Sequence, residues 1–114
     1  MEYNVGDFYY KYSSCYGRMF AYDFFLIKEI IENKVIIARQ ISISVILNRD
    51  KEGSLVKEYY CDKEKVVSIG EEKLLKIYLK TKVIGKTTYQ DIIDITKKHS
   101  LENTYKIIQK MFCM

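Results

Sequence analysis

The chain has 114 residues, 48% of them hydrophobic and 30% charged, with 19 Lys and Arg against 15 Asp and Glu for a formal charge of +4. That length predicts one domain, residues 1–114, with its own core, and the composition excludes collagen-like, disordered and disulfide-scaffold classes. Proline and tryptophan are absent, and eleven tyrosines dominate the aromatics.

In chain order, Val5-Gly6-Asp7 reads as a turn into a pleated run, Phe8-Tyr9-Tyr10-Lys11-Tyr12. Residues 13–18 read as a loop. Aromatic and β-branched residues over 22–31 predict a second strand, and Glu32-Asn33-Lys34 closes a hairpin into a third over 35–41. That strand is able to continue to Leu47, because Ile41, Ile43 and Val45 alternate with serines, giving one buried and one wet face. A polar turn over 48–53 leads to a fourth strand over 55–60. Cys61-Asp62-Lys63-Glu64 reads as a turn, and Val66-Val67 as a short fifth strand.

Residues 71–83 fit either an alternating strand or an amphipathic helix, and two end signals favour the helix. Ser68-x-x-Glu71 matches a capping box, and Gly85 suits the left-handed C-terminal position. Thr87-Thr88 offers an N-cap for a helix over 89–98, with Ile92, Ile93 and Ile95 on its apolar face and Asp91 in its first turn. Ser100 caps a last helix over 101–112, with a stripe of Leu101, Tyr105 or Thr104, Ile108 and Phe112. The expected fold class is α+β: a small antiparallel β-sheet or SH3-like barrel of about five strands, then two or three C-terminal helices. The β-rich part spans residues 1–69 and the helical part 70–114.

Charge follows the same division. Residues 1–72 hold ten basic and twelve acidic groups, whereas residues 73–114 hold nine lysines against Asp91, Asp94 and Glu102. The basic part is either a solvated helical face or a surface for a polyanion. Three scattered cysteines, Cys15, Cys61 and Cys113, read as free thiols of a reducing compartment, predicting a cytoplasmic protein. No apolar run approaches the ~20 residues of a membrane helix.

Ten of the aromatics fall within the first 25 residues, among them Tyr9, Tyr12 and Tyr16. Tyrosine is amphipathic and cheap to order, which suits a recognition face, but a small β core must also be filled with large side chains. Alternation places Phe8, Tyr10 and Tyr12 on one side and Tyr9 and Lys11 on the other. The last two helices resemble a helix-turn-helix, with Asn103, Thr104, Lys106 and Lys110 as groove-facing candidates, although the turn glycine is missing. A plain helical hairpin is the competing reading. Catalytic patterns are poor. His99 is the single histidine, zinc-type spacings are missing, and there is no phosphate-binding glycine loop. The expectation is a protein that is not an enzyme, with no catalytic residue, metal or cofactor.

Residues 5–41 resemble small uncharacterised β-barrel-type proteins of phages and mobile elements through Val5-Gly6-Asp7, residues 14–17, and Tyr22-Asp23-Phe24-Phe25 running into 35–41. That resemblance implies a phage-type β protein without catalytic residues, and the size is similar in kind to anti-defence inhibitors such as anti-CRISPR proteins. The expected function is protein binding: inhibition or modulation of a host protein through an aromatic and basic surface. The alternative is a nucleic-acid-binding accessory using the basic helices. The candidate contact residues are Tyr9, Lys11, Tyr16, Arg18, Lys97, Lys98, Asn103, Lys106 and Lys110. A host protein is the expected partner, nucleic acid a second, a homodimer is possible, and no membrane is involved.

Overall fold

Alternating apolar residues in the first part of the chain produce long paired strands. The computed structural model describes residues 4–32, 35–70, 79–80 and 88–112. Four strands form a consecutive antiparallel meander: β1 (Phe8–Cys15), β2 (Met19–Ile31), β3 (Val35–Arg49) and β4 (Leu55–Gly70). A two-residue strand, β5 (Leu79–Lys80), pairs with Tyr9 and Tyr10 of β1, so the sheet order is β4-β3-β2-β1-β5. Helices α1 (Tyr89–Lys98) and α2 (Leu101–Phe112) follow. At about 3.3 Å per residue, a strand of 15 residues such as β3 spans roughly 50 Å. This accounts for the elongated envelope of 55 × 27 × 26 Å.

The α+β class is as expected, but the sheet is open. β4 and β5 lie at opposite edges, so the barrel alternative is not realised. The anticipated turn at 61–64 is also absent, because β4 runs straight through it and absorbs Val66 and Val67. An irregularity in the β3–β4 pairing between Gln40 and Ser42 takes up the mismatch. Polar residues tolerated on an edge strand imitate a turn in sequence. Ser68, read as a helix cap, lies within β4, and Leu79–Lys80 is strand rather than helix. The rest of the helix expected over 71–83 lies outside the described residues.

The two helices cover one face of the sheet. Phe8, Tyr22, Phe24, Ile41, Ile43 and Val45 meet Tyr89, Ile92, Ile93, Tyr105 and Ile108 in the main core. Ring contacts knit it together: Phe24 lies 5.2 Å from Phe112, and Tyr22 lies 5.9 Å from Tyr105 between centroids, within the favourable aromatic range. Most of the N-terminal aromatics are therefore core. Thr88 caps α1 through a reciprocal capping box with Asp91, and Ser100 Oγ accepts from the Asn103 amide at the start of α2. Of the expected α2 stripe, Thr104, Tyr105 and Ile108 are buried, but Leu101 is exposed. On the opposite face, Tyr9, Phe25, Ile27, Ile36 and Ala38 form a second buried cluster. Further along that face lie Lys11, Ser13, Asp23, Ser42 and Ser44, where the Ser42 hydroxyl donates to the Asp23 carboxylate. The wet face expected from the serine alternation is thus present beside the main core.

Candidate binding groove

Where the strands extend past the helices, the aromatic face comes to the surface. The β1–β2 turn is made by Tyr16 and Gly17, both at positive φ, with the Arg18 amide donating to the Cys15 carbonyl at 2.9 Å. Two positive φ values match the twist of a tight hairpin, and glycine suits the second position. Tyr16 takes a left-handed conformation that costs a bulky residue about 1–2 kcal/mol, and its side chain is 96% exposed. The Leu47 amide donates to the Arg18 carbonyl at 2.7 Å, tying this turn to β3.

Two hollows open side by side along this end and share Leu47. One, of about 210 Å³, lies between the sheet and α2. Tyr12, Phe20, Val45, Tyr59 and Tyr105 form its walls, with Lys57, Lys106 and Gln109 supplying polar groups. The other, of about 340 Å³, is lined by Gly17, Arg18, Leu47, Asn48, Arg49 and Leu55. Four cations therefore border one groove, and no Asp or Glu lines either hollow. Tyr12 is 47% exposed although its ring lies 4.8 Å from that of buried Tyr22. Lys106 pairs with Glu102 at 3.5 Å on the exposed surface of α2, and such an exposed pair is weak enough to rearrange for another anion. Arg49 donates to the Gly53 carbonyl at 2.7 Å, fixing its guanidinium beside the β3–β4 turn.

A third hollow, of about 300 Å³, lies between β3, β4 and α1 and includes Arg39, Cys61, Lys63, Glu64, Thr96 and Lys97. Its polar groups are largely spent on each other. Arg39 Nη2 bonds Glu64 at 2.8 Å, and the Thr96 hydroxyl donates to the Ile93 carbonyl at 2.6 Å. The Arg39 guanidinium holds the Glu64 carboxyl below its usual range, and Glu64 in turn raises Arg39. Burial, then the neighbouring Glu64, pushes the Tyr89 phenol well up, while burial and then Asp62 raise the Cys61 thiol. A raised thiol is a poor nucleophile at neutral pH. No group of three His, Cys, Asp or Glu among the described residues is placed to hold a metal ion.

The sequence candidates separate. Tyr16 and Arg18 sit at the turn end, and Lys106 borders the same groove. Asn103 and Lys110 share the exposed side of α2 with Lys106. Lys97 and Lys98 occupy the last turn of α1, with Lys97 at the third hollow. Tyr9 is corrected: it is 2% exposed in the second core cluster, with no surface to offer. Lys11 lies directly opposite Asp23 on the face away from the groove. Thr104, a groove-facing candidate of the helix-turn-helix reading, is 1% exposed, and two residues join the helices, as suits a helical hairpin. The groove residues missed in the sequence were Tyr12, Arg49, Lys57, Tyr59 and Gln109. Strand phase was the available signal, since Lys57 and Tyr59 alternate in step. Comparison with family models, curated proteins and solved structures gives no match. No helix among the described residues is long and apolar enough to cross a membrane.

Proposed function

We propose that this protein is a non-enzymatic binding protein that inhibits or modulates a host protein, and that the groove at the turn end is its contact surface. One observation carries this reading. Exposed Tyr12 and half-buried Tyr59 share a lining with Arg18, Arg49, Lys57 and Lys106, and that lining has no carboxylate. Tyrosine and arginine dominate the energetic centres of protein interfaces, because they bury area and hydrogen-bond with little entropy loss. A cationic rim around them attracts an acidic partner and sets its orientation. A phage or mobile-element origin, resting on residues 5–41, fits an inhibitor of this size. Single-stranded nucleic acid is the competing partner, since aromatic and cationic grooves also take stacked bases and phosphates.

The test is affinity capture from nuclease-treated host lysate with the native chain, a Tyr12→Ala/Lys106→Glu variant and a Ser44→Asn control on the opposite face. The expected result is one protein retained by the native chain and the control but lost by the groove variant. Equal retention by all three would overturn the assignment of the groove. Binding only to DNA or RNA, weakening steeply with salt, would favour the competing partner.

A further inference from the structure

From the open edge of the sheet we infer that a partner segment adds to β4 as a further strand, along residues 55–61, and that this segment alternates acidic with apolar side chains. The inference rests on the groove as a protein-binding surface and adds how the partner is held. β4 is an edge strand, with β3 as its one neighbour among the described residues. An edge presents a row of unpaired N–H and C=O groups that pair readily with another extended chain. Natural edges are guarded by charge and by bulges, and β4 has such a guard where Asp62, Lys63, Glu64 and Lys65 pass the irregularity opposite Gln40 and Ser42. Residues 55–61 are guarded less, with no irregularity and only Lys57 and Glu58 charged, and Leu55, Val56 and Tyr60 there are exposed at 56%, 39% and 43%.

The two faces of this section call for different side chains. Leu55, Lys57 and Tyr59 point to the groove side, where Lys57 and Lys106 favour an anion, no carboxylate lines the hollows, and the exposed Glu102 pair with Lys106 is weak. Val56 and Tyr60 point to the other side with Glu58 between them, whose carboxylate accepts from the Tyr60 hydroxyl. An apolar residue suits Val56 and Tyr60 there, and a second carboxylate would be repelled by Glu58. Successive residues of a strand face opposite ways, so an added strand meets both demands only by alternating acidic and apolar positions.

A second copy of the chain fits badly. An antiparallel pair with a two-fold axis sets one residue opposite itself. Centred on Lys57, Glu58 or Asp62, that residue is a like-charged pair. Centred on Tyr60 it opposes Lys57 to Lys63 and Glu58 to Asp62, and centred on Cys61 it opposes Lys57 to Lys65 and Glu58 to Glu64. Centred on Tyr59 it sets Leu55 and Val56 against Lys63 and Asp62. Like charges directly opposite are destabilising.

The experiment uses the whole protein and a synthetic nonapeptide alternating Glu with Val, with a same-composition peptide in blocks and one N-methylated at alternate residues as controls. Amide hydrogen exchange by NMR reads the contact. The expected result is at least tenfold slower exchange at alternate amides within residues 55–61 with the alternating peptide, and none with either control. A Val56→Asp/Tyr60→Asp variant, altered only at exposed positions, should bind at least tenfold more weakly with an unchanged circular dichroism spectrum. Peptide binding that shifts Tyr12 and α2 but leaves β4 exchange unchanged would overturn strand addition while sparing the groove. Equal affinity for the blocked peptide would overturn the alternation, and no binding of any peptide alongside tight binding of single-stranded DNA would overturn both readings.

Discussion

Tyr22 and Tyr12 lie on the same face of adjacent strands, 4.8 Å apart between ring centroids, yet one is 3% exposed and the other 47%. The difference marks where the helices stop covering the sheet. Under α1 and α2 an aromatic side chain is core, gaining roughly 1.5–3 kcal/mol from burial. One strand position further out, the same kind of side chain is half in water and borders cations. A single run of alternating aromatics thus serves both regions, and helix coverage, which the strands do not encode, assigns the roles. The outer end is also where backbone stability has been given up, at the left-handed Tyr16.

The strongest way to break this contrast is to truncate a ring on each side of the boundary. Phe24→Ala should cost about 3–5 kcal/mol in urea unfolding, as for other fully buried aromatics, since Phe24 is 0% exposed and touches Phe8, Tyr10 and Phe112. Tyr12→Ala should cost about 1 kcal/mol, the worth of one ring pair and partial burial. Equal losses would mean that the groove wall is core.

Two substitutions should stabilise, and each sharpens the contrast from one side. The Thr104 hydroxyl is buried without a hydrogen-bond partner among the described residues, so Thr104→Val, which keeps the shape, should raise stability by about 1 kcal/mol. Tyr16→Asn relieves the left-handed strain at the turn and should raise stability by a similar amount while weakening partner binding. A stabilised variant with unchanged binding would show that the exposed ring has no part in contact. The smallest effect concerns acid. Glu64 has its carboxyl lowered by Arg39, so the pair contributes above the ordinary carboxyl value near 4.5 and fades as pH falls through the lower folded value. Both side chains are about a third exposed and screened by water, so an Arg39→Met variant should lose under about 1 kcal/mol at pH 7, and its deficit should shrink below about pH 4.

The last two helices were legible because their signals are local, although a signal of the same kind at Ser68 belongs to a strand. Thr88 with Asp91, and Ser100 with Asn103, cap the helices where the spacing says they should. The strand phases were legible too, as Ile41, Ile43 and Val45 show by facing the core. What escaped was non-local. Whether β4 meets the far edge of the sheet decides barrel against open sheet, and no short pattern encodes it. Cys61-Asp62-Lys63-Glu64 looks like a turn unless its place on an edge is known. The groove unites Tyr12, Lys57 and Lys106, far apart in sequence, so charge counting found Lys106 and missed Lys57. Burial corrects the opposite error at Tyr9, where aromatic character and strand alternation point to a second, open face, but that face holds a buried cluster of its own.

Tyr12 and Ser13 are neighbours on β1 that point to opposite faces, and a photo-crosslinking amino acid at each position compares those faces most directly. With nuclease-treated host lysate, the groove account predicts a discrete protein adduct from position 12 and none from position 13. Adducts of equal yield from both positions, or from position 13 alone, would contradict it.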